Sequence, residues 1–289
     1  MVWWLLIAIV VLIVLLFARK RQKRRAETAQ LQARSRALEQ LRLLRDLLEQ
    51  VQRHRGLCFG VMSGAHNLES ERWTVHGEVY RLLENAFLHQ ANLAWYEAWK
   101  GVYPLWKRID HERQGNAAIA VLQLHHEFAE LILETIKALG NRHDLICLGG
   151  LAPQPEGLWL DLLENAELLG KARAVGTGIA ARRQNSPAQC QELERLSELI
   201  REQAYLAPAQ LSVEPVLREA LAKPVRESED RIDTLLQAID TLLRDPAHRA
   251  LGAMGFFNTA TQAISAQYML ADLLLERLRL ATEASLRQG

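Results

Sequence analysis

Two strips of glycine, each set beside an arginine, limit what this chain can fold into. Gly56, Gly60 and Gly64 follow one another at four-residue steps, starting in His54-Arg55-Gly56-Leu57-Cys58-Phe59-Gly60. Gly170, Gly176 and Gly178 recur around Ala172-Arg173-Ala174-Val175-Gly176-Thr177-Gly178. If that second stretch is helical, Gly170, Ala174, Gly178 and Ala181 stack on one side, with Arg173, Gly176 and Thr177 on the adjoining side. A glycine inside a helix costs about 1 kcal/mol relative to alanine, so such strips need a reason. Bare backbone supplies one, because it lets a second helix or a small ligand come close.

The sequence around these strips is helical in pattern. Leu31, Leu38, Leu41, Leu44, Leu48 and Val51 recur at three- and four-residue steps, with no proline between Ala26 and about Ser63. This predicts one long amphipathic helix. Further helices are expected over about 69–99, with Gly101 and Pro104 as punctuation, and over about 110–139, closed by Gly140-Asn141. After the clearest break, Gly149-Gly150-Leu151-Ala152-Pro153-Gln154-Pro155, a helix over about 156–184 carries Arg173. Ser186-Pro187 opens a helix to about Ala204, another covers about 213–244 with a bend near Pro224, and Asp245-Pro246 opens the last. No strand pattern of useful length occurs. A chain with 49% hydrophobic but only 6% aromatic residues favours helix bundles over sheets.

The N-terminus carries a different signal. Val2 to Phe17 is almost uninterrupted Leu, Ile and Val with Trp3 and Trp4 at the outer end, and Arg19-Lys20-Arg21-Gln22-Lys23-Arg24-Arg25 follows at once. A secretory signal peptide places its positive charge first and a small-residue cleavage site after. The reversed order predicts an uncleaved transmembrane anchor over 1–18, helped by a snorkelling Arg19. A basic juxtamembrane segment and helical stalk over 19–34 would then lie at anionic lipid headgroups. The expected location is the bacterial inner (cytoplasmic) membrane, single-pass, with the rest of the chain in the cytoplasm. Leu31, Leu38, Leu41 and Leu48 lie at near-heptad spacing, which predicts a coiled-coil homodimer along the stalk.

Several chemistries find no motif. The 35 basic and 34 acidic residues nearly cancel, so no global charge calls for nucleic acid. Cys58, Cys147 and Cys190 form no CxxC pair, which fits unpaired thiols in a reducing compartment. HExxH, ExxH, Walker loop and Gly-x-Ser-x-Gly are all absent, and no cofactor or metal is implied. His125 and His126 are adjacent, point apart on a helix and make a poor metal pair. The chain does not read as an enzyme.

What remains is the pair of arginines. A guanidinium is a planar fork of donors that matches a planar oxyanion. Two such forks about 4 Å apart repel by about 4 kcal/mol at an effective dielectric near 20. An anion between them reverses the sign, so occupancy would draw two helices together.

At these residues the chain resembles the nitrate- and nitrite-sensing (NIT) domain family of bacteria. Leu48-Glu49-Gln50-Val51-Gln52-Arg53-His54-Arg55-Gly56 is similar to the family's Gln-x-x-Arg-Gly signature, with His54 where an acidic residue is common. Gly170-Lys171-Ala172-Arg173-Ala174-Val175-Gly176 resembles its small-x-x-Arg-small-x-Gly segment. Gly255-Phe256-Phe257-Asn258-Thr259-Ala260-Thr261-Gln262-Ala263-Ile264 is similar to an aromatic-x-x-x-Thr-x-x-Ile stretch near the domain's end. The three occur in the family's order across about 35–285. The resemblance implies an all-α fold of two stacked up-down four-helix bundles, about 35–140 and 156–289, following the transmembrane helix. It implies nitrate or nitrite held between the bundles by Arg55 and Arg173. Gly56 and Gly176 would admit the ion to the backbone, and Thr177, one turn beyond Arg173, would add a contact. No output module is recognised in this chain, so the expected sensor acts through a separate output protein or its own dimer, without nucleic acid. The alternative is a ligand-free helical scaffold that retains the sensor fold.

Overall fold

The computed structural model describes residues 2–89, 91–112, 117–146, 157–182, 186–213, 215–244 and 251–288, with backbone alone at 2, 4–11, 88–89, 91–92, 112, 215–216 and 288. The described residues form helices: α1 (Val2–Met62), α2 (Glu69–His89), α3 (Glu97–Glu112), α4 (Ala118–Arg142), α5 (Leu158–Ala181), α6 (Pro187–Gln203), α7 (Leu206–Val213), α8 (Pro215–Arg244) and α9 (Ala253–Gln288). Short 3₁₀ turns at His66–Leu68 and Ala91–Trp95 join α1 to α2 and α2 to α3. The 149–155 break and the Asp245-Pro246 start lie outside the described residues.

α5 is the axis. It is apolar nearly all round, and Leu158, Trp159, Leu162, Leu163, Ala166, Leu169, Ala172, Ala174 and Ile179 are all fully buried. α1 and α9 flank it, α6 and α8 close its far side, and α2, α3 and α4 gather on the opposite face of α1. From Ala37 onward α1 is therefore shared: it packs on α2 and α4 as well as on α5 and α9. Leu38, Leu41, Leu44 and Leu48 are all fully covered within the chain. They cannot also form the seam of a coiled-coil dimer, and of the four leucines read as that seam only Leu31 is partly exposed.

The expected 69–99 helix is two pieces. α2 ends at His89, and Gly101 and Pro104, read as punctuation, lie inside α3. A Cβ on Gly101 would stand 2.9 Å from Leu131 Cδ1 of α4, so that glycine serves helix packing. The carbonyl that Pro104 leaves without a donor belongs to Lys100, which is exposed and can be met by water.

The N-terminal expectation is overturned. Residues 2–17 run without a break into the basic segment and on into the packed part of α1. At about 1.5 Å per residue they rise about 24 Å, short of a hydrocarbon core about 30 Å thick. Among the described residues no helix is long and apolar enough to cross a membrane. The transmembrane anchor is thus corrected, together with the inner-membrane location and the lipid contact that rested on it.

Candidate functional site

The two strips meet, and they do so reciprocally. Arg55 of α1 lies over Gly170 of α5, whose Cβ would stand 2.8 Å from Arg55 Nη2. Arg173 of α5 lies over Gly56 of α1, whose Cβ would stand 3.3 Å from Arg173 Nε. The ladder continues with Gly60 under Thr177 and Gly178 under Phe59. Each glycine is bare because side chains of neighbouring elements, the other strip's among them, occupy the space its own would take.

Arg55 and Arg173 are both buried, at 0% and 2% exposure, but their surroundings differ. Arg55 is paired. Its Nη1 and Nη2 donate to the two carboxylate oxygens of Glu167 at 2.6 and 3.0 Å. Gln52 Nε2 donates to Glu167 Oε2 at 2.9 Å, and Tyr268 Oη of α9 donates to Gln52 Oε1 at 3.1 Å. A polar network that leaves only Arg55 Nε without an acceptor among the described residues therefore ties α1, α5 and α9 together. The expectation of two bare, mutually repelling cations is corrected on this point, because Glu167 sits on α5 one turn before Lys171 and cancels the Arg55 charge.

Arg173 has no such partner. Its Nη1 donates to Thr261 Oγ1 at 3.0 Å, and its guanidinium carbon lies 5.0 Å above the Phe257 ring. Nε and Nη2 are buried without a hydrogen-bond acceptor among the described residues. Burial foremost, and then the charge of Arg55, push its pKa down to about 9. The unmet pair is the Nε–Nη2 edge, where two N–H bonds point the same way and can grip a planar oxyanion at two points. One turn on, Thr177 Oγ1 is also buried without a partner. Leaving a buried donor unmet costs about 1–3 kcal/mol, more for a charged group.

Of the five residues read from the sequence, Arg55, Gly56, Arg173 and Thr177 come together where α1 crosses α5. Gly176 does not join them. It faces α9, and the Phe256 ring fills the place of its missing side chain. Sequence reading by residue missed Glu167, Gln52, Phe257, Thr261 and Tyr268. Gln52, Phe257 and Thr261 were signalled, since Gln52 is the glutamine of the first matched stretch and the others are the aromatic and threonine of the third. Glu167 carries no motif, and only its spacing, three residues before Gly170 on the same helix face, points to it.

Family models and curated proteins provide no match to the chain. Among solved structures, the NasR transcription antiterminator is similar in fold, with a TM-score of 0.56 over 95% of this chain and 75% of that one. At 19% identity the likeness is one of fold.

A second buried polar group lies where α1 meets α4. His125 Nδ1 donates to the Val121 carbonyl at 2.8 Å, so its Nε2 accepts from His54 Nδ1 at 2.9 Å. Burial first, and then the Arg55 charge, lower the His125 pKa to about 4. Trp106 and His76 pack on the His54 ring. Among the described residues no group of His, Cys, Asp or Glu could hold a metal ion. Cys58 is buried, Cys190 is half-buried, and Cys147 lies outside the described residues.

Proposed function

We propose that this chain is a binding protein that senses a small oxyanion, nitrate or nitrite, and performs no reaction on it. The observation that carries the reading is the Arg173 guanidinium, buried with its Nε–Nη2 edge unmet. An oxyanion on that edge satisfies two donors and one buried charge together. Thr177, one turn further along α5 and buried with its hydroxyl unmet among the described residues, would donate a third hydrogen bond. The three sequence stretches that resemble the nitrate- and nitrite-sensing family supply the residues of this junction. The fold shared with a transcription antiterminator supports a regulatory role, with the signal passed to a separate output protein.

Binding would act on three helices. Arg173 belongs to α5, Gly56 to α1, and Phe257 and Thr261 to α9. An ion on the unmet edge relieves the electrostatic cost of holding them together, so occupancy tightens the junction. Calorimetric titration of the full chain with nitrate, nitrite and chloride tests this, beside Arg173→Met. The expected result is saturable heat with nitrate or nitrite in the wild type and none in the variant. A variant that keeps the full response places the ion elsewhere. A silent wild type leaves the ligand-free scaffold.

A further inference from the structure

We propose that Glu167 sets the charge of the ligand, so that this site takes singly charged anions and rejects doubly charged ones. The inference rests on the oxyanion reading above and names what that site selects. At the α1–α5 crossing two guanidinium groups are buried against one carboxylate. Arg55 and Glu167 cancel, and Glu167, at 5% exposure, is locked in place by both Arg55 nitrogens and by Gln52. Lys171 Nζ lies 3.9 Å from Glu167, but it reaches outward to Glu130 at 3.5 Å and is partly exposed. It therefore sits at the rim, where water screens it. Among the described residues, the dry part of the site carries a single uncompensated positive charge, on Arg173.

A buried site is most stable when its charges sum to zero, because each uncompensated ion costs several kcal/mol of lost hydration. One negative charge on the Arg173 edge achieves that sum. Two leave the buried groups of the junction with a net negative charge. Geometry alone does not discriminate in this way, since a guanidinium edge grips one face of sulfate as readily as it grips nitrate. The discrimination comes from the carboxylate that contacts no ligand.

Glu167→Gln tests it. The amide keeps the side-chain size and an oxygen for Arg55, but removes the charge and leaves two buried cations. Melting temperatures of wild type and Glu167→Gln are measured with sodium nitrate and sodium sulfate at matched ionic strength. Arg173→Met is run beside them to report each salt's general effect on stability. The wild type should respond to nitrate beyond that control and bind it at least about tenfold more tightly than sulfate. Glu167→Gln should gain a sulfate response beyond the control and reverse the order. A folded variant that still ignores sulfate while answering nitrate overturns the proposal. So does a wild type that answers sulfate as strongly as nitrate, and this arm decides the matter even if the variant does not fold. Silence of the wild type toward both ions sinks the oxyanion reading itself, and the charge selection with it. That outcome is distinct from the other two because in each of them the wild type answers.

Discussion

Arg55 and Arg173 look equivalent in the sequence, each beside glycine on a helix, yet removing them should have opposite effects. Arg55→Met strands the Glu167 carboxylate in the core, and breaking a buried pair in this way costs about 3–5 kcal/mol. Urea unfolding should show that loss, and Arg55→Met combined with Glu167→Met should recover much of it. Arg173→Met removes a buried cation that, among the described residues, hydrogen-bonds Thr261 and lies over the Phe257 ring but has no carboxylate partner. Without anion it should be as stable as the wild type or more so, and a loss above about 2 kcal/mol contradicts the unmet edge. The arginines were legible because glycine beside them had no local use. Their inequality was not, because Glu167 carries no motif and looks like any other acidic residue until the fold places it 2.6 Å from Arg55.

At the scale of elements, the interlocking glycines let α1 and α5 cross closely, while beside that crossing α5 meets α9 through Gly176. Gly176→Ala would drive a methyl group into the Phe256 ring, which is itself fully buried and has nowhere to go. Overpacking of this kind costs about 1–3 kcal/mol. Gly77→Ala on the exposed face of α2 meets nothing within 4 Å and should stabilise by about 0.5–1 kcal/mol through helix propensity. If both changes are neutral by thermal unfolding, the α5–α9 approach is looser than described. The link between α1 and α4 should show in acid. His125 is held neutral with a pKa near 4 against an ordinary 6.5, so between those values the unfolded chain binds more protons. Stability should therefore fall as pH drops from about 6.5 to 4, by an amount of order 3 kcal/mol. His125→Gln should flatten that part of the pH profile, and an unchanged slope assigns the acid sensitivity to other groups. Helix periodicity made the long elements readable. It misread α2 and α3, because Pro104 sits where only an exposed carbonyl loses its partner. It misread the N-terminus because apolar composition alone does not measure span.

Across the whole molecule, the candidate site lies where α1, α5 and α9 converge, so an ion there should be felt unevenly. Hydrogen exchange with and without nitrate should show added protection over 170–177 and 257–261, and little over α6, which carries none of the site's side chains. Equal protection everywhere would mean general salt stabilisation. One further property follows from the length of α1, a single helix of 61 residues that carries Arg55 near one end and Trp3 near the other. A rigid rod converts angle into distance. The two positions are separated by about 80 Å along the axis, so a tilt of about 3° at the α5 crossing sweeps the far end through about 4 Å. A change no larger than the seating of one small ion becomes, at the other end of the same helix, a displacement the width of a side chain.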